Sequence, residues 1–381
     1  MSFDIITQGT ASVAPADELK EKLGSGRQLN VKFGIDPTTP NIHLGHCVAL
    51  RKLRQFQDLG HKVLLVVGDY TARIGDPTGR DKTRPSLSQV EVKKNAETYL
   101  KQAGKILDLS SSKLWVGHNS KWLDNTWILE NILSDFTAQQ LLHRNDFKKR
   151  MEAGNPISIV ELLYPAFQAY DSVVIKPDVE IGGTDQTFNM QLARGYQIKR
   201  RQKPQVVITL PLLVGLDGKD KMSKSKGNHV GITDEPNDMF GKLMSIPDHL
   251  IDSYIELLTD GWMSVVVNPM SRKECMAFDV VSMLHGTDLA VIAHDEFIKV
   301  CRNKKLPEDI EVKHIGPGWH KLVDVMVSVD FAPSKTQAKK LLEAGAVRLD
   351  GDKANGIKEI QLSHGPQILK VGKRRICKLE E

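Results

Sequence analysis

The spacing of apolar positions changes period twice within the first seventy residues. Asn30 to Ile35, "NVKFGI", alternates apolar with other residues, as a strand does. From there Leu44, Cys47, Leu50, Leu53, Phe56 and Leu59 recur every three residues with Val48 beside them. That stripe predicts a helix with one buried face, closed by Gly60. Lys62 to Asp69, "KVLLVVGD", is then a near-continuous apolar run of the kind a strand buried on both faces needs. Strand, helix and strand in this span form a right-handed βαβ unit of a parallel sheet. Val206 to Leu216, "VVITLPLLVGL", reads as a later strand of the same sheet. After Gly231 the texture turns helical. "TDEPNDMFGKLMSI" opens with Thr233 as a cap, two acids and Pro236, and Leu250, Tyr254 and Leu257 follow at helical spacing. Strand-like segments stay sparse until Lys313, and "HIGPGW", His314 to Trp319, reads as a linker. The expected organisation is a Rossmann-like α/β parallel-sheet domain over 1–230, a helical domain over 231–313, and a linker with a small α+β domain over 314–381.

Composition narrows the classes. The chain of 381 residues is too long for one ordinary core. Its longest apolar run is about half of a bilayer-spanning length. The start, "MSFDIITQ", carries an acid and no basic flank, unlike a signal peptide. The four cysteines show no CxxC spacing, which speaks against a disulfide framework or a structural zinc site and for a reducing, cytoplasmic setting. Charge is uneven. Val312 to Glu381 holds 13 Lys and Arg against 8 Asp and Glu, a surplus that equals the whole chain's net +5. Such a tail suits an acidic polymer, or is simply a solvated basic surface.

Two stretches carry candidate chemistry. In "NIHLGHC", His43 and His46 share one face at the start of the predicted helix, where unpaired backbone N–H groups attract anions, and Gly45 leaves room for a ligand to approach the backbone. Alone, the pair fits a metal site, a proton-transfer pair, an anion grip, or two satisfied polar residues at a helix end; no HExxH or second His/Cys cluster supports the metal. In "DGKDKMSKSKGN", Lys219, Lys221, Lys224 and Lys226 alternate with Ser223 and Ser225 between glycines, with Met222 as the one apolar residue. The pattern predicts a mobile surface loop, either merely solvated or a cationic clamp on phosphates.

"HLGH" after an early strand and "KMSKS" after a late one, in that order, resemble the class I aminoacyl-tRNA synthetases. "YPAFQAYD" puts Tyr164, Gln168 and Asp171 on one helix face, and "IGDPTGR" and "IGGTDQ" add glycine turns beside acids. With these, nearly the whole chain resembles the tyrosyl-tRNA synthetase family of bacterial type. The resemblance implies that Asp76, Tyr164 and Gln168 hold a substrate ammonium with Gln186 nearby, and that Asp171 accepts a hydrogen bond from a phenolic hydroxyl. It implies that Gly34, Asp36, Gly45, Gly183, Asp185, Met222, Ser223 and Ser225 line the ATP side, and that His43, His46, Lys221 and Lys224 grip phosphates. One position departs from the pattern: where much of the family has a tyrosine that also touches the hydroxyl, this chain has Lys32, so the hydroxyl's second partner must be another side chain or water.

"SKTQAKKLLEAGAVRLDG", Ser334 to Gly351, reads as a helix capped by Ser334 and ended by Gly345, then a strand and an Asp350-Gly351 hairpin turn. It resembles an S4-type RNA-binding module, which implies tRNA contacts from Lys335, Lys339, Lys340 and Arg348 to phosphates rather than bases. The implied partners are L-tyrosine, ATP with Mg²⁺ and tRNA(Tyr), in a homodimer with no membrane role and no tightly bound protein-ligated metal. The rival readings are a tryptophanyl-tRNA synthetase, a small nucleotidyltransferase and a non-catalytic RNA-binding regulator.

Overall fold

The computed structural model describes residues 2–78, 87–110, 112–124, 132–261, 268–302, 310–350, 352–354, 359–361, 366–372 and 375–381. The chain divides into two compact units, Met1–His294 and Asp295–Glu381.

In the first unit a six-stranded sheet forms among the described residues from β1 (Ser12–Ala14), β2 (Asn30–Ile35), β3 (Lys62–Val67), β4 (Leu114–His118), β5 (Val179–Gly183) and β6 (Val206–Leu210). Their spatial order is β1-β6-β5-β2-β3-β4, parallel except for β1, which runs antiparallel to β6. The expected parallel βαβ unit is present: β2 pairs with β3 along its whole length, and the helix Leu44–Asp58 between them buries Leu44, Cys47, Leu50, Leu53 and Phe56. The helix stops at Asp58, and Gly60 takes the positive φ that turns the chain into β3. All five residues of β6 are buried, and the chain leaves the sheet at Pro211. The short edge strand β1 has no alternating pattern long enough to be read in advance. It is held by backbone pairing and by Ser12 Oγ against Thr209 Oγ1 at 2.7 Å.

Strand order reverses between β5 and β2, because β2 continues outward to β3 while β5 continues to β6 on the other side. Parallel sheets leave a crevice beyond the carboxyl ends of their strands at such a point.

The helical stretch after Gly231 contains Pro236–Met244, Ile251–Leu258, Pro269–His285 and Thr287–Phe297. The first begins with Pro236 at its first turn and Glu235 as N-cap, with no side-chain cap, so Thr233 does not play the expected role. Pro supplies the preset φ there, and no capping hydroxyl is needed. The second helix packs on Leu44–Asp58.

In the second unit, the helices Leu322–Ser328 and Lys335–Glu343 lie with a sheet of five strands among the described residues around a core of Leu322, Met326, Ala338, Leu369 and Cys377. Ser334 caps its helix by accepting from Gln337 N, Gly345 takes a positive φ, and Leu349 pairs with Asp352 across the expected hairpin. Gly351 itself lies outside the described residues. Among the described residues no helix is long and apolar enough to cross a membrane.

Candidate active site

A cleft of about 410 Å³ opens at the carboxyl ends of β2 and β5. Its two ends have opposite chemistry.

At one end His43 is the N-cap of Leu44–Asp58, and its Nδ1 accepts from Gly45 N at 3.2 Å. That contact leaves the proton of the neutral ring on Nε2. Gly45 keeps this contact uncrowded, since a Cβ would lie 3.0 Å from the His43 ring and press on it. His46 Nδ1 sits 3.3 Å from both the N and the O of His43, and the rings are 4.2 Å apart. Burial pushes His43 down to about 2, helped by repulsion from His46, His229 and the two lysines, and pushes His46 down to about 4. Both imidazoles are therefore neutral hydrogen-bond donors at ordinary pH, and the positive charge of this end belongs to lysines.

The lysine loop reaches the histidines by main-chain pairing. His43 bridges Gly231, Leu44 N donates to Val230 O at 3.0 Å, and Ile232 N donates to Ile42 O. Lys221 Nζ lies 2.9 Å from Asp185 Oδ2, while Lys224 Nζ donates to Asn41 O at 2.5 Å and Thr39 Oγ1 at 3.3 Å. The loop is also more firmly built than its composition suggests. Met222 is buried and its N–H donates to Leu213 O, and Asn228 ties Ser223 N, Asp217 and the Lys221 carbonyl together. Ser225 bonds Ser223 Oγ at 2.8 Å. Met222 and Ser223 line the cleft with Lys221; Lys224 and Ser225, expected with them, do not line it.

The other end is acidic. Tyr164, Gln168 and Asp171 do share the inner face of the helix Ile159–Ile175 and line the cleft. Tyr164 Oη donates to Asp36 Oδ2 at 2.9 Å, which leaves its own lone pairs to accept. Asp36 also accepts from Thr71 Oγ1 at 2.7 Å, and burial lifts it to about 7. Gly68 makes that seat: a Cβ there would fall 2.0 Å from Asp36 Oδ1. Asp76 accepts from Gln186 Nε2 at 2.6 Å and Thr78 Oγ1 at 2.5 Å. Asp171 Oδ1 accepts from Trp122 Nε1 at 2.8 Å, with Asn119 Nδ2 at 3.4 Å from Oδ2, and burial lifts it to about 6. Gly34, Gly183 and Asp185 line the middle. Gly79 and Arg80 of the "IGDPTGR" stretch lie outside the described residues.

A protein that presents neutral donors and lysines at one end of a cleft and converging acceptors at the other can hold a zwitterion against a polyphosphate. Residues 25–302 match the family model described as tRNA synthetases class I (W and Y). The chain belongs to this family. It is 43% identical to a tyrosine–tRNA ligase of Thermotoga maritima, covering 98% of this chain and 96% of that protein. It is 46% identical to one of Dehalococcoides mccartyi strain CBDB1, covering 98% and 97%. Among solved structures it is similar in fold to a C-terminally truncated Aspergillus nidulans mitochondrial tyrosyl-tRNA synthetase (TM-score 0.65, 20% identity, 78% of this chain and 93% of that one). It is also similar in fold to the Archaeoglobus fulgidus tyrosyl-tRNA synthetase complexed with L-tyrosine (TM-score 0.57, 21% identity, 77% and 94%).

Several residues of this synthetase's cleft carry no sequence signal of their own. Arg144 donates to Thr78 Oγ1 and Asn189 Oδ1, and Asn189 Nδ2 donates to both Gln168 Oε1 and Gln186 Oε1. This network links the two amides to Asp76. Asn189, fully buried within an ordinary helix, could have been flagged as a polar residue on an apolar face; Asn119, Trp122 and Thr71 come from short segments with no periodicity. The four tail residues Lys335, Lys339, Lys340 and Arg348 lie in the second unit, all exposed.

Proposed function

We propose that the cleft joins L-tyrosine to ATP, giving tyrosyl-adenylate and pyrophosphate, and then passes the tyrosyl group to the 3′-terminal ribose of tRNA(Tyr). The observation that carries this reading is the pairing of one phosphate-seeking end with one ammonium- and hydroxyl-seeking end in a single crevice. In the first step a tyrosine carboxylate oxygen attacks the α-phosphorus and the bond to pyrophosphate breaks. The carboxylate is already ionised, so no general base is required, and catalysis is positioning plus charge stabilisation. Asp76, Tyr164 and Gln168 would accept from the ammonium, Gln186 helping to fix Asp76, and Asp171 would accept from the phenol. His43 and His46 would donate to the phosphates. Lys221 and Lys224 would follow the charge onto pyrophosphate. Lys221 loses little by leaving Asp185, because half-exposed ion pairs of this kind contribute at most about 1 kcal/mol. Gly34, Gly45, Gly183, Asp185, Met222 and Ser223 would shape the nucleotide side, with Ser225 supporting Ser223; Asp36, expected there, sits instead beside Tyr164. Mg²⁺ would arrive as part of the MgATP substrate, sharing its phosphate charge.

The helical stretch 231–313 would read the anticodon, and residues 314–381 would act as an S4-like tRNA grip through Lys335, Lys339, Lys340 and Arg348. The resemblance also supports a homodimer working in the cytoplasm. ATP–pyrophosphate exchange with a panel of amino acids tests the central reading: exchange with tyrosine is expected, and exchange with tryptophan alone, or with none, would overturn it.

A further inference from the structure

Lys32 and Glu180 face each other across the β2–β5 ladder, and their side chains form an ion pair of 2.8 Å with almost no exposure. An ammonium has three donors. The other two of Lys32 go to Ser172 Oγ at 2.7 Å and to the Gln168 carbonyl at 3.3 Å, both on the helix Ile159–Ile175. Glu180 is similarly engaged, accepting from Ser172 Oγ, Gln168 Nε2 and Gln205 Nε2. Both residues nevertheless border the cleft at its acidic end, where Asp171 lies between the two helix residues they hold. With every donor in use, Lys32 has no hydrogen bond to offer a substrate hydroxyl. What it can offer is a fixed charge and a fixed helix.

We infer that the buried Lys32–Glu180 pair is a positioning device for tyrosine recognition, in which Lys32 keeps Asp171 as the anion that accepts the phenolic hydrogen and Glu180 tempers that effect. The inference rests on the reading of Asp171 given above. An ionised acceptor makes the stronger, charge-assisted hydrogen bond. Burial is the largest influence on Asp171 and opposes ionisation; Lys32 is the largest influence favouring it, and Glu180 opposes it. The other groups that interact with Asp171 are the carboxyl of Asp36, the Tyr164 phenol, which burial holds neutral, and the neutral donors Trp122 and Asn119.

The test is the tyrosine KM in ATP–pyrophosphate exchange between pH 5 and 8, for the parent, Glu180→Gln, Lys32→Met/Glu180→Gln and Asp171→Asn. The double variant removes both charges together and leaves no buried ion unpaired. In the parent, KM rises as pH falls through about 6. In the double variant the rise begins at higher pH, giving a KM at pH 6 about fivefold above the parent's and approaching tenfold at pH 5, which corresponds to a one-unit displacement of the midpoint. In Glu180→Gln it begins at lower pH, and kcat changes far less in both. Loss of packing alone would raise KM evenly at all pH and could not displace the midpoint in opposite directions. If the double variant fails to fold, the downward displacement in Glu180→Gln decides alone. Midpoints that coincide in parent and charge variants, while Asp171→Asn loses the titration, overturn the inference and leave Asp171 in place. A parent-like midpoint in Asp171→Asn overturns the reading of Asp171 and the inference with it.

Discussion

On the proposed reading His43 and Lys221 would act on the same phosphates by different physics, and their replacement should tell the two apart. His43 is a neutral donor fixed by its own helix, and Lys221 is a charge on a flexible stem. Removing one preorganised donor to a developing charge costs about 2.7–4 kcal/mol in the transition state. His43→Asn and Lys221→Ala should therefore each slow adenylate formation about 10²–10³-fold while tyrosine binding changes little, as single-turnover rates and equilibrium binding would measure; rates near the parent's would sink the phosphate roles. With imidazoles already neutral, His43 and His46 contribute no rise in activity on deprotonation above pH 5. Asp36 has a different consequence. Its carboxyl is raised to about 7 in the folded protein, so the folded state favours the protonated form. The stability this group contributes is complete below its ordinary pKa near 4 and is lost as pH rises through about 7, at about 1.4 kcal/mol per unit of displacement. His43 and His46, buried neutral, act in the opposite sense below about pH 6.5, so the comparison is between variant and parent: from pH 5 to 8 the Tm of ligand-free Asp36→Asn should rise relative to the parent's, giving its profile a more positive slope, because the variant lacks this loss. An unchanged slope would mean that Asp36 is not the group responsible.

At the scale of elements, the histidine and lysine stretches meet because the segment after the lysine loop pairs with the helix start, His43 to Gly231 and Leu44 to Val230. The loop hangs from this pairing and from Asn228. Asn228→Ala removes the bonds to Ser223 N and Asp217 and should lower the rate of adenylate formation with tyrosine affinity preserved. Hydrogen exchange should rise across 217–228 in the same variant, since the N–H of Ser223 loses its acceptor. Slower chemistry without faster exchange would place the effect elsewhere. The buried Lys32–Glu180 pair belongs to this scale too, because it joins β2, β5 and the helix Ile159–Ile175. Lys32→Met alone strands Glu180 and should destabilise the protein by about 3–5 kcal/mol in denaturant unfolding, where the charge-free double variant recovers most of the loss.

Across the whole molecule, the surplus positive charge lies in the last seventy residues, in a unit with its own core. Lys335→Ala/Lys339→Ala/Lys340→Ala should weaken tRNA binding and make its dependence on log salt shallower by about 1–3, with pyrophosphate exchange unaffected; a parent-like slope would remove these lysines from the interface. That much was legible because it depends on composition and short-range order. The apolar stripe of Leu44–Asp58 and the buried run of β3 follow from periodicity. The capped helix after Ser334 follows from local hydrogen bonding, and the phosphate motifs and the Tyr164–Asp171 face from residues adjacent in the chain or one helical turn apart. What lay beyond the sequence depends on partners far apart along it. Burial decides that His43 and His46 are neutral. Folding sets Arg144 and Asn189 behind the amides, gives Trp122 and Asn119 to Asp171, and turns Lys32, an unexplained departure on a strand, into half of a buried ion pair whose other half is nearly 150 residues away. Local pattern chooses elements and motifs. Desolvation and long-range hydrogen bonds, which exist only once those elements are packed, set the charge state of each group in the cleft.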